Sequence, residues 1–199
     1  GEVRVNQAVK SPITLWEEGL AGMRMSTLSY GQQDVTGVTE LTKVISVNNW
    51  TNETLTYDLS TTYRYAGDDN GAVTLEVFPK ELVVPPMGPG KAPEANFLVK
   101  MIIDGEKLDE WTMNSGSLGN SGANLTANEY DGYLWLDDTS TDEDDAAMIH
   151  MPWHVLPRKS VQVTADPDVL SGWVDDVALV EFSNTGVQET YMGLYDWIA

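Results

Sequence analysis

The chain has 199 residues, of which 42% are hydrophobic and 7 are tryptophan, enough to bury one complete core and part of a second. Its formal net charge of -20 argues against nucleic acid and anionic membrane surfaces as partners, because such surfaces are bound by clustered Lys and Arg. It contains no cysteine, which excludes disulfides, thiol nucleophiles and cysteine-ligated metals, and no apolar run of about 18 residues, so no membrane span is predicted.

The elements predicted along the chain are strands. Segments rich in Val, Thr, Ile, Tyr and Leu, bounded by Gly, Pro, Asn and Asp, recur about every 10 residues, which is typical of an all-β sandwich. The predicted strands are 41–47, 54–65, 72–79, 81–85, 95–103, 130–137, 147–156 and 160–165. Alternation within two of them predicts faces turned to the core, formed by Tyr57, Leu59, Thr61 and Tyr63 and by Phe97, Val99, Met101 and Ile103.

Three connections stand out between these strands. Residues 65–73 are rich in residues that tolerate a left-handed backbone and are predicted to form a turn. Residues 84–93 contain four prolines, which forbid regular structure. Residues 104–128 are rich in Gly, Ser and Asn, and a loop of that length in a sandwich is either flexible or functional.

Both histidines of the chain lie in the stretch IHMPWH, four positions apart. That spacing is the frame of a helical zinc-protease motif, in which an intervening glutamate acts as base. Pro152 disfavours a helix between the histidines, and Met151 follows the first of them instead of glutamate. We therefore predict a strand in which His150 and His154 share a face about 13 Å apart, too far to bind one ion, and no metal site.

Two further stretches were candidates for catalysis or metal binding. Ser121 in GNSGA fails the nucleophile pattern G-x-S-x-G, because Ala123 stands at the last glycine, and a plain loop is predicted. The acidic run 137–145 offers Asp142 and Asp144 to calcium but lacks the glycine and the terminal glutamate of an EF-hand loop. A solvated hairpin tip is favoured there over calcium binding. We assign no catalytic, cofactor-binding or metal-binding residue.

Two other surface features depend on context. The sequons at Asn49, Asn52 and Asn124 matter only in a eukaryotic secretory host. The aromatic residues that offer a sugar-binding platform are Trp111, Tyr133, Trp135 and Trp153. Their alternation within strands favours core or interface packing over such a platform.

The C-terminal tail echoes the start of the sandwich. A strand closes on SVNN (46–49) and the chain re-enters as TLTYDL (54–59); similarly, ALVEFSNTG (178–186) is followed by TYMGLYDWIA (190–199). This similarity predicts two related domains in tandem, the second represented by its opening hairpin. An ordered tail must then bury the side chains of Phe182, Tyr191, Leu194, Tyr195 and Trp197. We expect strand pairing with the N-terminal segment around Trp16 and Leu20, or with a neighbouring molecule.

Several stretches together resemble the region downstream of the catalytic domain in large secreted subtilisin-like serine peptidases. GEVRVNQAVKSPITLW (1–16) is similar to the G-x-G-x-V-N … A-V-x-x-P segment that ends that catalytic domain. TKVISVNNWTNETLTYDL (42–59) resembles the strand pair that opens the fibronectin type III-like domain behind it. DGYLWL (131–136) and MPWHVLPR (151–158) resemble its last strands and are the most specific part of a similarity that covers about residues 1–163.

The resemblance implies an immunoglobulin/fibronectin type III-like β-sandwich with an N-terminal extension and a C-terminal hairpin. We divide the chain into 1–38, the tail of a preceding catalytic domain and a linker; 39–165, the fibronectin type III-like sandwich; and 166–199, a linker and the opening hairpin of a following β-sandwich domain. The peptidase blocks G-T-S-M-A and H-G-T are absent from the sequence, so no catalytic role is carried over.

The implied function is that of a non-catalytic accessory module, which stabilises the catalytic domain of the parent peptidase or positions a protein substrate. Its implied partners are that catalytic domain, within the same polypeptide, and a protein substrate; no cofactor is implied. The implied location is secreted or on the cell surface of a bacterium, and the acidity suits export into a salty medium. The alternative is a free-standing adhesion or carbohydrate-binding β-sandwich.

Overall fold

The computed structural model describes residues 5–19, 22–86, 94–111, 127–139, 148–174 and 177–188. Besides strands, these ranges include the helical turn Val5–Ala8 and the 3-10 turns Ala66–Asp68 and Gly105–Lys107. The strands are β1 Ile13–Glu18, β2 Arg24–Met25, β3 Leu28–Val35, β4 Val38–Asn49, β5 Leu55–Tyr63, β6 Val73–Phe78, β7 Glu81–Val84, β8 Glu94–Asp104, β9 Tyr130–Asp138, β10 Met148–Lys159, β11 Val163–Val174 and β12 Val177–Asn184. Among the described residues, no helix has the length and hydropathy needed to cross a membrane.

Two five-stranded sheets form the body of the molecule. Sheet A has the strand order β2-β1-β4-β8-β6, and sheet B has the order β3-β10-β9-β5-β7. A single apolar core lies between them, with contributions from both sheets. The predicted fold class, an all-β sandwich of the immunoglobulin and fibronectin type III-like kind, is confirmed.

The alternation read from the sequence matches the burial of the side chains. Phe97, Val99, Met101 and Ile103 of β8 are buried in the core, as are Tyr57 and Leu59 of β5. The strands predicted between residues 41 and 156 are all present, and their ends differ from the predicted ones by at most 3 residues. Because side chains alternate across a strand, this agreement also fixes which residues remain on the outer faces.

The N-terminal segment is part of the sandwich, which corrects the domain boundary predicted at residue 39. Strand β1 pairs antiparallel with β4 in sheet A, and β3 pairs parallel with β10 in sheet B. Ile13, Leu28 and Val35 are all at most 1% exposed within the common core. The sandwich therefore begins at Ile13, because without β1 and β3 both sheets would lose an edge and part of their core.

The tail also differs from its predicted form. The predicted linker 166–176 is strand as far as Val174, because β11 pairs antiparallel with β12 in a separate two-stranded sheet. Beyond β12 the chain returns to the sandwich, where the Gln188 amide donates to the Ser160 carbonyl at 3.2 Å. The described part of the tail does not pair with the N-terminal segment, so that expected pairing is wrong for these residues; pairing with a neighbouring molecule stays a prediction. Phe182, which was predicted to be buried, is 42% exposed. The other tail residues predicted to be buried, Tyr191, Leu194, Tyr195 and Trp197, lie outside the described residues.

Asn49 joins the two sheets where the chain crosses from β4 to β5. Its side chain is fully buried, and Nδ2 donates to the carbonyls of Glu53 at 2.7 Å, Val84 at 3.2 Å and Pro85 at 3.0 Å. Its Oδ1 accepts from the amide of Thr51 at 2.8 Å and from the hydroxyl of the same residue at 2.7 Å. A buried amide with every group satisfied in this way holds the turn and the end of β7 to the end of β4.

Gly132 and Trp153 form a packing pair between β9 and β10. The two residues lie directly opposite each other in the ladder. A Cβ at position 132 would overlap the carbonyl oxygen of Thr62 and lie 2.9 Å from Cε2 of Trp153. The indole, 1% exposed, also packs edge-on against Tyr63 with ring centroids 5.7 Å apart. Only glycine leaves room for the Trp153 ring, which explains the glycine of DGYLWL together with the tryptophan of MPWH.

Replacing Gly132 with alanine should lower the free energy of unfolding by about 3 kcal/mol or more, because a backbone carbonyl cannot yield to the added methyl group. Urea denaturation followed by tryptophan fluorescence measures this change. Gly67→Ala is the matched control: nothing lies within 4 Å of a Cβ there. It should change stability by less than about 0.5 kcal/mol. Equal effects of the two substitutions would contradict the packing role of Gly132.

Asn49→Ala should cost about 2 kcal/mol or more, because the buried Val84 carbonyl, the part-buried carbonyls of Glu53 and Pro85 and the Thr51 amide lose their partner. Asn49→Asp should cost more than Asn49→Ala, since it brings a negative charge to those carbonyls. Thermal melting by circular dichroism provides the comparison. Asn52→Ala, in the same turn and exposed, is the control; a loss of stability as large as that of Asn49→Ala would refute the role of the buried amide.

Candidate functional site

The two histidines lie on the outer face of sheet B and have different surroundings. The stretch IHMPWH is part of β10, as predicted, and both histidines point away from the core while Met151 and Trp153 point into it. His154 shares a hydrogen bond of 2.9 Å between its Nε2 and the hydroxyl of Ser29 on β3. His150 instead contacts aromatic rings of β9. The strand geometry that separates the two imidazoles is therefore confirmed.

His150 belongs to an aromatic–histidine cluster, which we define as Tyr133, Trp135 and His150. The His150 ring lies 5.0 Å from Tyr133, edge to face, and 4.8 Å from Trp135, and the two aromatic rings are 5.6 Å apart. The register explains the contact, since His150 lies directly opposite Trp135. The indole Nε1 donates to the hydroxyl of Thr62 at 2.9 Å, which fixes the orientation of this ring. The cluster presents imidazole and aromatic surface on a flat sheet face.

The four aromatic residues considered for a sugar-binding platform do not come together. Trp153 is buried in the core, and Trp111 lies beside Arg158, whose guanidinium is 5.8 Å from the indole. Tyr133 and Trp135 do lie together, half-buried on the outer face of sheet B. Core packing, the favoured prediction, holds for Trp153. The contribution of His150 was missed, although pairing the two halves of the β9–β10 hairpin would have placed it opposite Trp135.

Charged groups lie at one end of the same face. Arg64, the residue after β5, forms an ion pair of 3.2 Å with Asp131 of β9. Burial, and then the charge of Asp131, raise the pKa of Asp68 above its usual value. The hydrogen bond that Arg64 donates to the Asp131 carboxylate raises the pKa of Arg64, so this guanidinium keeps its charge. The cluster is therefore bordered at this end by an acidic edge, with one arginine held in an internal pair.

The other candidates from the sequence fall into two groups. Asn52 is exposed, whereas Asn49 is buried and fully hydrogen-bonded, so the folded chain does not present the first sequon to a modifying enzyme. Ser121, Asn124, Asp142 and Asp144 lie outside the described residues. Across the part of the chain that the structure describes, no three His, Cys, Asp or Glu side chains are grouped to hold a metal ion.

The outer face of sheet A carries a second feature, an apolar row formed by Val44, Leu98 and Phe78. These residues lie directly opposite one another on β4, β8 and β6. Their exposures are 50%, 42% and 50%, although each has a buried neighbour on the same strand. The next outward residue of β8 after Leu98 is Lys100, which forms an ion pair with Glu40 of β4 at 2.8 Å. Three large apolar side chains side by side on adjacent strands form a contiguous surface, unlike singly scattered ones.

A shallow groove of about 360 Å³ lies where the tail returns to the sandwich. The Glu110 carboxylate accepts hydrogen bonds there from the ammonium of Lys159 at 3.2 Å and from the side-chain amide of Gln188 at 3.4 Å. These hydrogen bonds lower the pKa of Glu110. These contacts attach the end of the β11–β12 hairpin to β10. They also provide Glu110, Lys159 and Gln188 with hydrogen-bond partners inside the groove.

No family model matches the chain, and no curated protein matches it. Solved structures with a similar outline include a FixG-related protein from Vibrio parahaemolyticus, with 14% identity and a TM-score of 0.39 over 74% of this chain and 97% of that one. The CooA pilin subunit of enterotoxigenic Escherichia coli has 12% identity and a TM-score of 0.39 over 74% and 98%. A PapD-like domain of human CEP192 has 8% identity and a TM-score of 0.40 over 75% and 87%. Values this low identify neither a family nor a function.

Zinc should leave the melting temperature of the chain unchanged, because His150 and His154 contact different groups and share no ion site. A ligand that binds only the folded state raises the melting temperature, so differential scanning fluorimetry with zinc chloride is a sensitive test. A magnesium titration controls for ionic strength. Sub-micromolar zinc binding in calorimetry that is lost in His150→Ala would contradict this prediction.

Proposed function

We propose that the chain is a non-catalytic accessory β-sandwich module that docks through the outer face of sheet A onto a neighbouring protein unit. The observation that carries this proposal is the apolar row. Val44, Leu98 and Phe78 lie in register on three adjacent strands and remain about half exposed in a chain with a net charge of -20. Apolar surface in that position is stabilised when another protein covers it.

The sequence resemblance supplies the identity of that neighbour in the proposal. The stretches that resemble the accessory domain of subtilisin-like peptidases most specifically lie on β9 and β10, which pair with each other. Their Gly132 leaves room for the buried indole of Trp153 in the core. Residues that pack in the core maintain the fold of a domain. Their position therefore supports a structural role for DGYLWL and MPWHVLPR. The catalytic domain of a secreted bacterial subtilisin-like peptidase is therefore the proposed partner, within the same polypeptide.

The proposed role is to stabilise the catalytic domain by covering part of its surface. The apolar row is small. Full burial of a large apolar side chain contributes about 1.5 to 3 kcal/mol. The contribution of each residue in the row is smaller, because its side chain is already about half covered. A binding free energy of this size is sufficient for docking within one polypeptide, because a linker keeps the two units at high effective concentration. The same surface in a separate chain would bind only weakly.

The gene that encodes this chain should also encode a subtilisin-type catalytic domain, and the full product provides the test. Leu98→Asp should shorten the half-life of peptidase activity on heating by about threefold or more, because a carboxylate at the centre of the row opposes burial. In the chain alone, the same substitution should change stability by less than about 0.5 kcal/mol, since Leu98 is already exposed.

Val83→Asp is the matched control, because Val83 is 53% exposed on β7 of the other sheet. Equal effects of the two substitutions on the half-life would rule out docking through sheet A. A gene product without a peptidase block would refute the proposed partner. Glycan-array binding that is lost in Trp135→Ala would replace docking with the alternative, carbohydrate binding through the aromatic–histidine cluster.

A further inference from the structure

Among the described residues, one edge of β4 is paired along only part of its length. On one side β8 pairs with β4 from Val38 to Asn48. On the other side β1 pairs only with Ile45 to Asn49. In the described ranges, no strand pairs with Val38–Val44 on that side. The backbone N–H and C=O groups of an unpaired strand edge are a template onto which an extended segment can add.

The chain itself explains why β1 stops short of this edge. After Glu18 the backbone turns, with the Gly19 amide donating to the Met23 carbonyl at 2.6 Å and Gly22 at a φ of 72°. The returning strand β2 then pairs with the far side of β1, where Met25 lies opposite Glu17. Sheet A is thus extended away from the first half of β4, and no strand of the described ranges occupies the remaining edge, where a segment that continues the line of β1 can add.

A cleft of about 450 Å³ lies beside this edge, between the two sheets. Sheet B contributes Tyr30 of β3, which is 6% exposed, and sheet A contributes Leu41, which packs against the core. Lys43 and Glu17 are bonded to each other at its side, and the Lys43 ammonium lies 5.3 Å from the Tyr30 ring. Because side chains alternate, a strand laid beside β4 would direct every second side chain into this cleft.

The charges around the cleft select the occupant. Glu17, Glu18 and Lys43 are the charged residues that line it, so the lining is acidic overall. Nearby, Glu40 is paired with Lys100 at 2.8 Å and Asp34 with Arg158 at 2.7 Å. A second copy of the chain would bring another net charge of -20 to this edge. Like charges of that size disfavour self-association, whereas a basic segment gains from the same field.

We infer that the unpaired edge of β4, Val38–Val44, binds an extended segment of another protein that alternates apolar and basic residues, by strand addition with its apolar side chains in the cleft beside Tyr30 and Leu41. This edge shares Val44 with the apolar row, but the inference rests on the backbone edge and the cleft beside it, so it does not depend on the identity of the docking partner. It assigns to the module a peptide-binding function in addition to its accessory role.

The test uses the full chain and a synthetic peptide of alternating lysine and valine. Binding is measured by fluorescence anisotropy and located by nitrogen-15 NMR. The peptide should bind with a Kd between about 10 μM and 1 mM and shift the amide signals of residues 38–44. A peptide of the same composition with its lysines grouped at one end, and one with glutamate in place of lysine, should bind at least about tenfold more weakly.

Leu41→Lys should weaken binding of the alternating peptide by about tenfold or more, because it places a basic group where an apolar side chain enters. Val83→Lys, which adds the same charge on β7, should change the affinity by less than about twofold. Circular dichroism checks that each variant is folded. Should Leu41→Lys fail to fold, the wild-type NMR shifts and the exposed variant Glu18→Lys, expected to weaken binding by about threefold, decide the question.

Three results would overturn the inference. The first is the absence of binding up to about 1 mM peptide. The second is binding with amide shifts away from residues 38–44, or a greater loss in Val83→Lys than in Leu41→Lys. The third is concentration-dependent dimerisation in sedimentation velocity with shifts at residues 38–44, which would make a second copy the occupant.

Discussion

From β4 to β9 every connection passes from one sheet to the other. Strands that are neighbours in sequence therefore lie in different sheets, and neither sheet of the sandwich can form without the other. The chain enters sheets A and B alternately through β4, β5, β6, β7, β8 and β9. Polar side chains hold the first two of these connections. Asn49 holds the first, and Asn70 holds the second by accepting from the Ala72 amide at 2.9 Å and donating to the Tyr130 hydroxyl at 3.0 Å. Such side chains satisfy backbone groups that the ladders leave unpaired where strands end.

This connectivity directs function to the outside of the molecule. Both inner faces are used by the common core, and the most buried large side chains, such as Trp153, Tyr57 and Phe97, belong to it. The surfaces that remain are the two outer faces and the strand edges. Sheet B has the aromatic–histidine cluster on its outer face, and sheet A has the apolar row. Recognition by a β-sandwich of this kind is therefore left to the side chains that alternate with the core positions and to the strand edges.

The sequence predicted the elements that show clear alternation and missed those that do not. The predicted bounds of β8 are correct to within one residue at each end, because its core side chains occupy every second position without interruption. Strand β3 was missed because Gly31, with a φ of 67°, shifts the register against β10 and breaks the period of two. Its pairing with β10 joins residues more than a hundred positions apart, a contact that local patterns do not report.

The outer faces were harder to predict than the core for the same physical reason. Each candidate surface depends on cross-strand register: the contact of His150 with Trp135 follows from the β9–β10 ladder, and the apolar row follows from two ladders that bring Phe78 and Val44 to either side of Leu98. A single strand shows only that Leu98 alternates with buried residues. The unpaired edge is harder still, because it depends on where β1 ends.

The apolar row and the unpaired edge meet at Val44, the last residue of β4 before the pairing with β1 begins. A strand added beside Val38–Val44 would extend sheet A on the side where the row ends. Its outward side chains would then lie next to Val44 and widen the apolar surface across a further strand. A partner that covers the outer face would contact that added strand as well as the row. Binding at either surface would then favour binding at the other by an equal factor, because coupling between two binding equilibria is reciprocal.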